Sequence, residues 1–407
     1  MTALTRREML RLFALTPTLP QFLARSAAAA PGQDAPGYDG PVLVVVRFMG
    51  GNDGLNAVVP IRDDRYYRAR PTIAIAKRDT VPQVGGELGL NPWLVDYQRL
   101  IDDGHAAIVQ GVGYPNSSRL HSRGTEIFET GSVRDPAPEH GWLGRYLDHR
   151  CECGSEPVAG LQFGPDLGRT LASSSGYSQS VAHPRLVLDM QGRSRPEPAR
   201  TGSRGSRLDY LRQIENTLAM TADRLGRAAG GSGERFDYPD TEFGQSLRWT
   251  GNLIETGSPT RIYYLTLGSF ATFTSPSFDT HSNQLAVHES LYSQFGAGLR
   301  AFATHLQAAR QFERVLVMSF SEFGRQIEEN RSHGTDHGDA SLLFVAGGRV
   351  RPGLLGEPAD LGRQHDGGLE PSVDFRQIYA DVLARWLAAD PTLILDESIA
   401  QPFEVIA

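Results

Sequence analysis

Apolar residues along this 407-residue chain fall into two kinds of run. Short unbroken stretches rich in Val, Ile, Leu and Phe occupy residues 41–49, 106–112, 158–164, 261–267, 315–318 and 341–346. Runs of that length, bounded by Gly-rich or polar turns, predict buried strands of a parallel or mixed sheet. Between them lie stretches whose apolar positions recur at helical spacing. Examples are 91–102 (Leu94, Tyr97, Leu100, Ile101), 208–225 (Leu208, Leu211, Ile214, Leu218, Leu225) and 374–387 (Phe375, Ile378, Tyr379, Val382, Trp386). Residues 126–131, a short stretch from Trp142, 241–255 and 284–310 also read as helices. Strand and helix in alternation make an α/β chain, with one large domain expected over 41–407. Residues 165–206 show little pattern and carry an Arg-, Pro-, Ser- and Gly-rich run at 193–207, which reads as an insertion or lid. A Gly-rich break follows at 226–233.

The organising stretch is 314–348, where two predicted strands bracket a polar segment holding Glu322, Arg325, Asp336 and His337. In open α/β sheets, ligands bind in the crevice at the strand ends. Other strand ends deliver polar groups in the same way. The run 41–49 leads into Gly50-Gly51-Asn52-Asp53, where glycines allow close backbone approach and Asp53 faces the crevice. The run 106–112 leads into Asn116-Ser117-Ser118-Arg119-Leu120-His121. The run 261–267 is followed by Asp279-Thr280-His281, whose acid and imidazole can reach one metal. Each also has a plainer reading: Asp53 in a turn, Ser117 or Ser118 capping a helix, Asp279 as a cap, Glu322 and Arg325 as an ion pair. Carboxylate and imidazole together suit Zn, Mn or Fe better than Ca, which prefers oxygen alone. His288 and His305 lie within a predicted helix and read as structural.

The net charge of −7 excludes a phosphate-backbone binder, which needs clustered cations. Lys77 is the only lysine among 40 basic residues, first a coding bias, although arginine also suits anion recognition. Arg6-Arg7 ahead of a modest apolar stretch ending in Ala27–Ala30 reads as a twin-arginine export signal over residues 1–30, with a linker at 31–40. That apolar stretch is too short and too Pro-rich to span a bilayer, and no longer one follows. The expected location is periplasmic or extracellular, with the twin-arginine export machinery as a partner. Cys151 and Cys153, two apart, receive no function.

Taken in order, GGNDGLN, YPNSSRLH, FDTHSNQ, SEFGR and GTDHG resemble an uncharacterised bacterial family of twin-arginine-exported proteins, domain of unknown function 1501. That family belongs to the alkaline phosphatase and sulfatase superfamily. The resemblance covers about residues 42–387 and implies a three-layer α/β/α sandwich with a central mixed, mainly parallel sheet and a metal centre at its strand ends. It implies Asp53 as the first-strand metal ligand, Asp279 and His281 as a mid-chain pair, and His337 as the last histidine ligand, with Asp336 binding or orienting it. Glu322 stands where the superfamily has Asp, and Phe323 where it has a second ligand, His. Asn116-Ser117 is similar to the Asn-Ser of cofactor-independent phosphoglycerate mutases, whereas Ser118-Arg119 is similar to the Ser-Arg of the sulfatase motif.

The expected activity is metal-dependent hydrolysis of a phosphate or sulfate ester, on an anionic small-molecule or polymer substrate. Ser117 or water would attack, Arg119 or Arg325 would clamp the anion, and His121 would protonate the leaving group. The competing expectation is a non-catalytic exported protein using the same scaffold for binding or assembly.

Overall fold

The computed structural model describes residues 38–407 apart from 83–85, 151–157, 165–166, 175–177, 183, 185–219, 271–275 and 396–400. The twin-arginine stretch, most of the linker, both cysteines and the Arg-rich run at 193–207 lie outside the described residues.

Nine strands form the main sheet: β1 (Val42–Phe48), β2 (Ala106–Gly113), β3 (Gly160–Phe163), β4 (Ser178–Val181), β5 (Ile262–Leu267), β6 (Val315–Ser321), β7 (Ser341–Gly347), β8 (Gly353–Leu355) and β9 (Val373–Asp374). Their order is β8-β2-β7-β6-β1-β5-β3-β4, with β9 also pairing β2. Strand β1 sits centrally, parallel to β5 on one side and to β6 on the other. Strand β7 is antiparallel to both its neighbours, β6 and β2, while the other pairings are parallel. The chain therefore folds as an α/β protein around a mixed, mainly parallel sheet.

Helices cover both faces, so the strands can be apolar throughout. Along β1 the side chains alternate between two cores. Val42, Val44, Val46 and Phe48 pack in a cluster with residues of α3 (Val95–Asp102), α6 (Glu242–Glu255) and α7 (Gln284–Ala308); earlier helices are α1 (Gly54–Ala57) and α2 (Asp64–Ala69). Leu43 and Val45 pack on the opposite face with α4 (His121–Thr130), α5 (Trp142–Arg150) and α8 (Phe375–Asp381).

The boundaries differ from the sequence expectations where local chemistry intervenes. The helix expected at 91–102 opens with a tight turn, Pro92–Leu94, because Asn91 caps Trp93 and Pro92 suits a first turn. The helix expected at 374–387 is capped at its N-terminus by a reciprocal box between Asp374 and Gln377, then loosens into a wide turn at Val382–Trp386. From the stretch expected as an insertion, β4 pairs with β3 and lengthens the sheet. Its sequence, Ser-Gln-Ser-Val, is too polar to signal a buried strand. No helix among the described residues is long and apolar enough to cross a membrane.

One consequence of topology fixes the site. Strands β1, β2, β5 and β6 all end on the same edge, and β7, running the other way, begins there. The loop before β7 therefore meets the loops after the other four.

Candidate metal centre

The turn after β1 is shaped by two glycines with left-handed φ, Gly50 at +114° and Gly51 at +88°. A Cβ on Gly50 would lie 2.3 Å from the backbone nitrogen of Asp279, and one on Gly51 2.3 Å from the Phe323 ring. Glycine here lets three loops close on one another. Phe278 N–H donates to the Met49 carbonyl across 2.7 Å, tying the loop after β5 to β1. The loop after β6 and the loop before β7 pair through Gly324 N–H to Asp339 O, Gly338 N–H to Gly324 O and Gln326 N–H to Asp336 O. Thr335 N–H reaches Thr280 O at 3.0 Å, joining the loops after β5 and before β7.

This stitching brings Asp279, His281 and His337 to one point, where His121 joins them from the first turn of α4. Ligand atoms of His121, Asp279 and His337 all lie within 4.8 Å of one another and could hold a metal ion. In all three imidazoles Nδ1 meets an oxygen acceptor. His121 Nδ1 lies 3.1 Å from Glu322 Oε1, His281 Nδ1 2.9 Å from Asp336 Oδ1, and His337 Nδ1 2.7 Å from the Arg119 carbonyl. Each partner oxygen accepts, so each Nδ1 carries its hydrogen and each Nε2 is turned inward. The Nε2 atoms lie 3.4 Å (His121), 3.1 Å (His281) and 3.1 Å (His337) from carboxylate oxygens of Asp279. Those of His281 and His337 are 2.9 Å apart. Imidazoles held through Nδ1–H to oxygen, with Nε2 converging on a carboxylate, form a donor set that could hold a metal ion.

The electrostatics follow from this packing. Burial works against ionisation of Asp279, but His121, His337 and Arg325 hold its carboxyl well below the usual carboxylate range. Asp279 and then Glu322 push the His121 imidazolium up to about 9. His281 bonds Asp336 and lowers its pKa. Glu322 is fully buried, accepts Gly50 N–H at 2.9 Å, and has the Arg47 guanidinium 3.6 Å away.

The other expected site residues are placed differently. Asp53 is buried outside this group, in a two-point ion pair with Arg70 (2.6 and 3.1 Å), and it accepts from Gln284 Nε2 at 2.6 Å and from Leu55 N–H at 3.1 Å. Burial opposes its charge, yet Arg70 holds its pKa below normal. Gln284 in turn accepts from Thr280 and Thr335, so Asp53 anchors the loops that carry the imidazoles. Arg325 is buried; it donates to the carbonyls of Gly50, Gly51, Phe278 and Thr335 and to Asp279 Oδ1, and thus positions Asp279 while offering no free fork to an anion. Arg119 grips Asp339 with two bonds and also binds Asp366 and the His365 carbonyl. Ser117 Oγ–H donates to the Tyr114 carbonyl at 2.7 Å, and Ser118 N–H donates to the Tyr114 hydroxyl. The cap position of α4 is Leu120, so neither serine caps that helix.

Arg47, Arg70 and Gln284, which also support the site, carry no expectation from the sequence. A charge inside the apolar run at 41–49 was a usable signal for Arg47, since buried charges are paired. Arg70 and Gln284 sit in segments with no such mark.

The sequence profile of the family described as "Protein of unknown function (DUF1501)" matches residues 41–405. The chain belongs to that family. No curated protein matches this family member by sequence. Among solved structures it is similar to a phosphonate monoester hydrolase from Silicibacter pomeroyi (11% identity, TM-score 0.38, 89% of this chain and 78% of that one). It is also similar to a protein in the alkaline phosphatase superfamily from Vibrio parahaemolyticus (10%, 0.38, 95% and 80%). A third similar structure is the alkaline phosphatase of the Antarctic bacterium TAB5 (11%, 0.34, 78% and 95%).

Proposed function

We propose that this DUF1501 protein is an exported, metal-dependent hydrolase of phosphate or sulfate esters. The observation that carries the reading is the convergence of three imidazole Nε2 atoms on the Asp279 carboxylate, each ring held by an acceptor at Nδ1. His121, Asp279 and His337 would hold one Zn, Mn or Fe ion, with His281 beside them. Asp53 and Glu322, which a second ion would need, are already engaged with Arg70 and with His121 and Gly50. A bound divalent cation supplies Lewis-acid polarisation of the ester and acidifies water.

The chain's own groups then have separable roles. Asp279 and the imidazoles of His121 and His337 would hold the ion that receives the anionic head. His281, at 46% side-chain exposure the most open of the rings, is placed to move a proton at Nε2 to the departing alcohol oxygen. Asp336 holds that ring's tautomer and stabilises its protonated form. Water is the nucleophile in this reading, because the Ser117 hydroxyl is bonded to the Tyr114 carbonyl. Arg6-Arg7 and the apolar stretch after them support export.

A second reading, a non-catalytic exported binding protein on the same scaffold, is favoured by one observation. Arg119 and Arg325 are both fully engaged within the protein, which leaves neither as an anion clamp. Turnover of 4-nitrophenyl phosphate and 4-nitrophenyl sulfate by the metal-loaded protein separates the two. Hydrolysis that falls at least tenfold in His281→Ala, with metal content retained, supports the enzyme. Full metal occupancy with no turnover of either ester supports the binding protein.

A further inference from the structure

Among the described residues only Val95, Leu120, Met220, Phe270 and Leu393 are large, apolar and exposed. Two of these five adjoin His121, one in the chain and one in space. Leu120 immediately precedes it at the cap of α4 and is 67% exposed. Phe270, 49% exposed, sets its ring edge-on to the His121 imidazole with centroids 5.4 Å apart. Beneath them Phe323 is buried, its ring 4.9 Å from His121 and 4.4 Å from His337. Apolar surface left in water beside a polar site is unfavourable unless something covers it.

Charge around the same residues argues about what that cover is. Arg119, Arg325 and Arg47, the arginines that touch site residues, are engaged by Asp339 and Asp366, by carbonyls and Asp279, and by Thr125 and Glu322. The carboxylates that reach the surface there, Asp336 (55% exposed) and Asp366 (83%), are themselves paired with His281 and Arg119. The arginines that touch the site thus offer no free fork to a substrate that is anionic along its length, and the site suits one whose single charge is confined to its head.

We propose, resting on the ester reading above, that the site takes monoesters of an apolar or aromatic alcohol, with the alcohol's body against Phe270 and Leu120. These two residues then determine specificity and leave the chemistry to the imidazoles. A polyanionic polymer ester would be a poor substrate.

The test uses two non-hydrolysable anions with the same head, phenylphosphonate and methylphosphonate, bound to the metal-loaded full chain and followed by calorimetry. Burying a phenyl ring against apolar side chains should favour phenylphosphonate by roughly tenfold or more. Phe270→Ser and Leu120→Ser, both at exposed positions that leave the fold intact by circular dichroism, should each cut that preference several-fold without changing methylphosphonate affinity. Equal affinity for the two anions, or a preference unchanged in both variants, overturns the proposal and leaves the ester reading standing. Failure of both anions to bind a protein shown to contain metal overturns the ester reading, and the proposal with it.

Discussion

His121 donates its Nδ1–H to Glu322 Oε1 across 3.1 Å, and that carboxylate is wholly buried beneath α4. The contact sets which nitrogen of His121 faces Asp279, and the negative charge raises the basicity of the ring. Gly124, one turn further along α4, allows it: a Cβ there would come within 2.6 Å of the Glu322 carbonyl. Outer partners of this kind typically change metal affinity by about 10–100-fold. Glu322→Gln should therefore weaken metal binding by about tenfold or more while the protein stays folded. A competition titration against a chromophoric chelator measures the change.

Asp53 lies at a different level of the structure. Its carboxylate and the Arg70 guanidinium are both inaccessible to solvent, and removing one member of such a pair leaves an uncompensated buried charge. Asp53→Ala should destabilise the fold by about 3–5 kcal/mol in denaturant unfolding. Metal content per folded molecule should stay near that of the parent. Loss of metal from well-folded Asp53→Ala protein would place Asp53 among the ligands.

His288 gives a pH dependence that is independent of the metal. It is buried on α7 beside Phe278 and Tyr292, and neither ring nitrogen makes a hydrogen bond among the described residues. Burial pushes its pKa down to about 4, from the ordinary imidazole value of about 6.5. The unfolded chain therefore takes up this proton first, and stability is lost as pH falls from about 6.5 through 4. The single-site loss amounts to roughly 3 kcal/mol. Denaturant midpoints measured across that window should fall with pH. In His288→Leu the fall should be smaller by about that amount.

How much of this was legible in the sequence depends on what kind of signal each residue carries. Strands β1, β5 and β6 are predominantly apolar runs, broken only by Arg47, Thr266, Ser319 and Ser321, and a sheet covered on both faces favours that pattern. Once they are recognised, the strand-end rule brings Asp279, His281, Glu322, Asp336 and His337 to one crevice, where the structure also puts them. The rule does not say which way a side chain turns. Asp53 turns to Arg70, 17 residues further on in a segment with no periodicity, and Arg325 turns inward to four carbonyls. His121 reads as a proton donor in a loop, because the helix it starts is detectable only from about residue 126. Its place beside Asp279 depends on α4 packing against the loop after β6, a long-range contact with no local mark. The same holds for β4, whose polar residues pair with β3 only because a parallel edge is available to them.

The most direct test is the metal content of the purified, folded full chain by elemental analysis, beside Asp279→Asn and His337→Ala. The proposed metal centre requires close to one equivalent of Zn, Mn or Fe in the parent and near none in either variant, with all three proteins sharing the same circular dichroism spectrum. A parent that contains no transition metal, even after incubation with Zn2+ or Mn2+ and gel filtration, would contradict it. So would variants that keep the full equivalent.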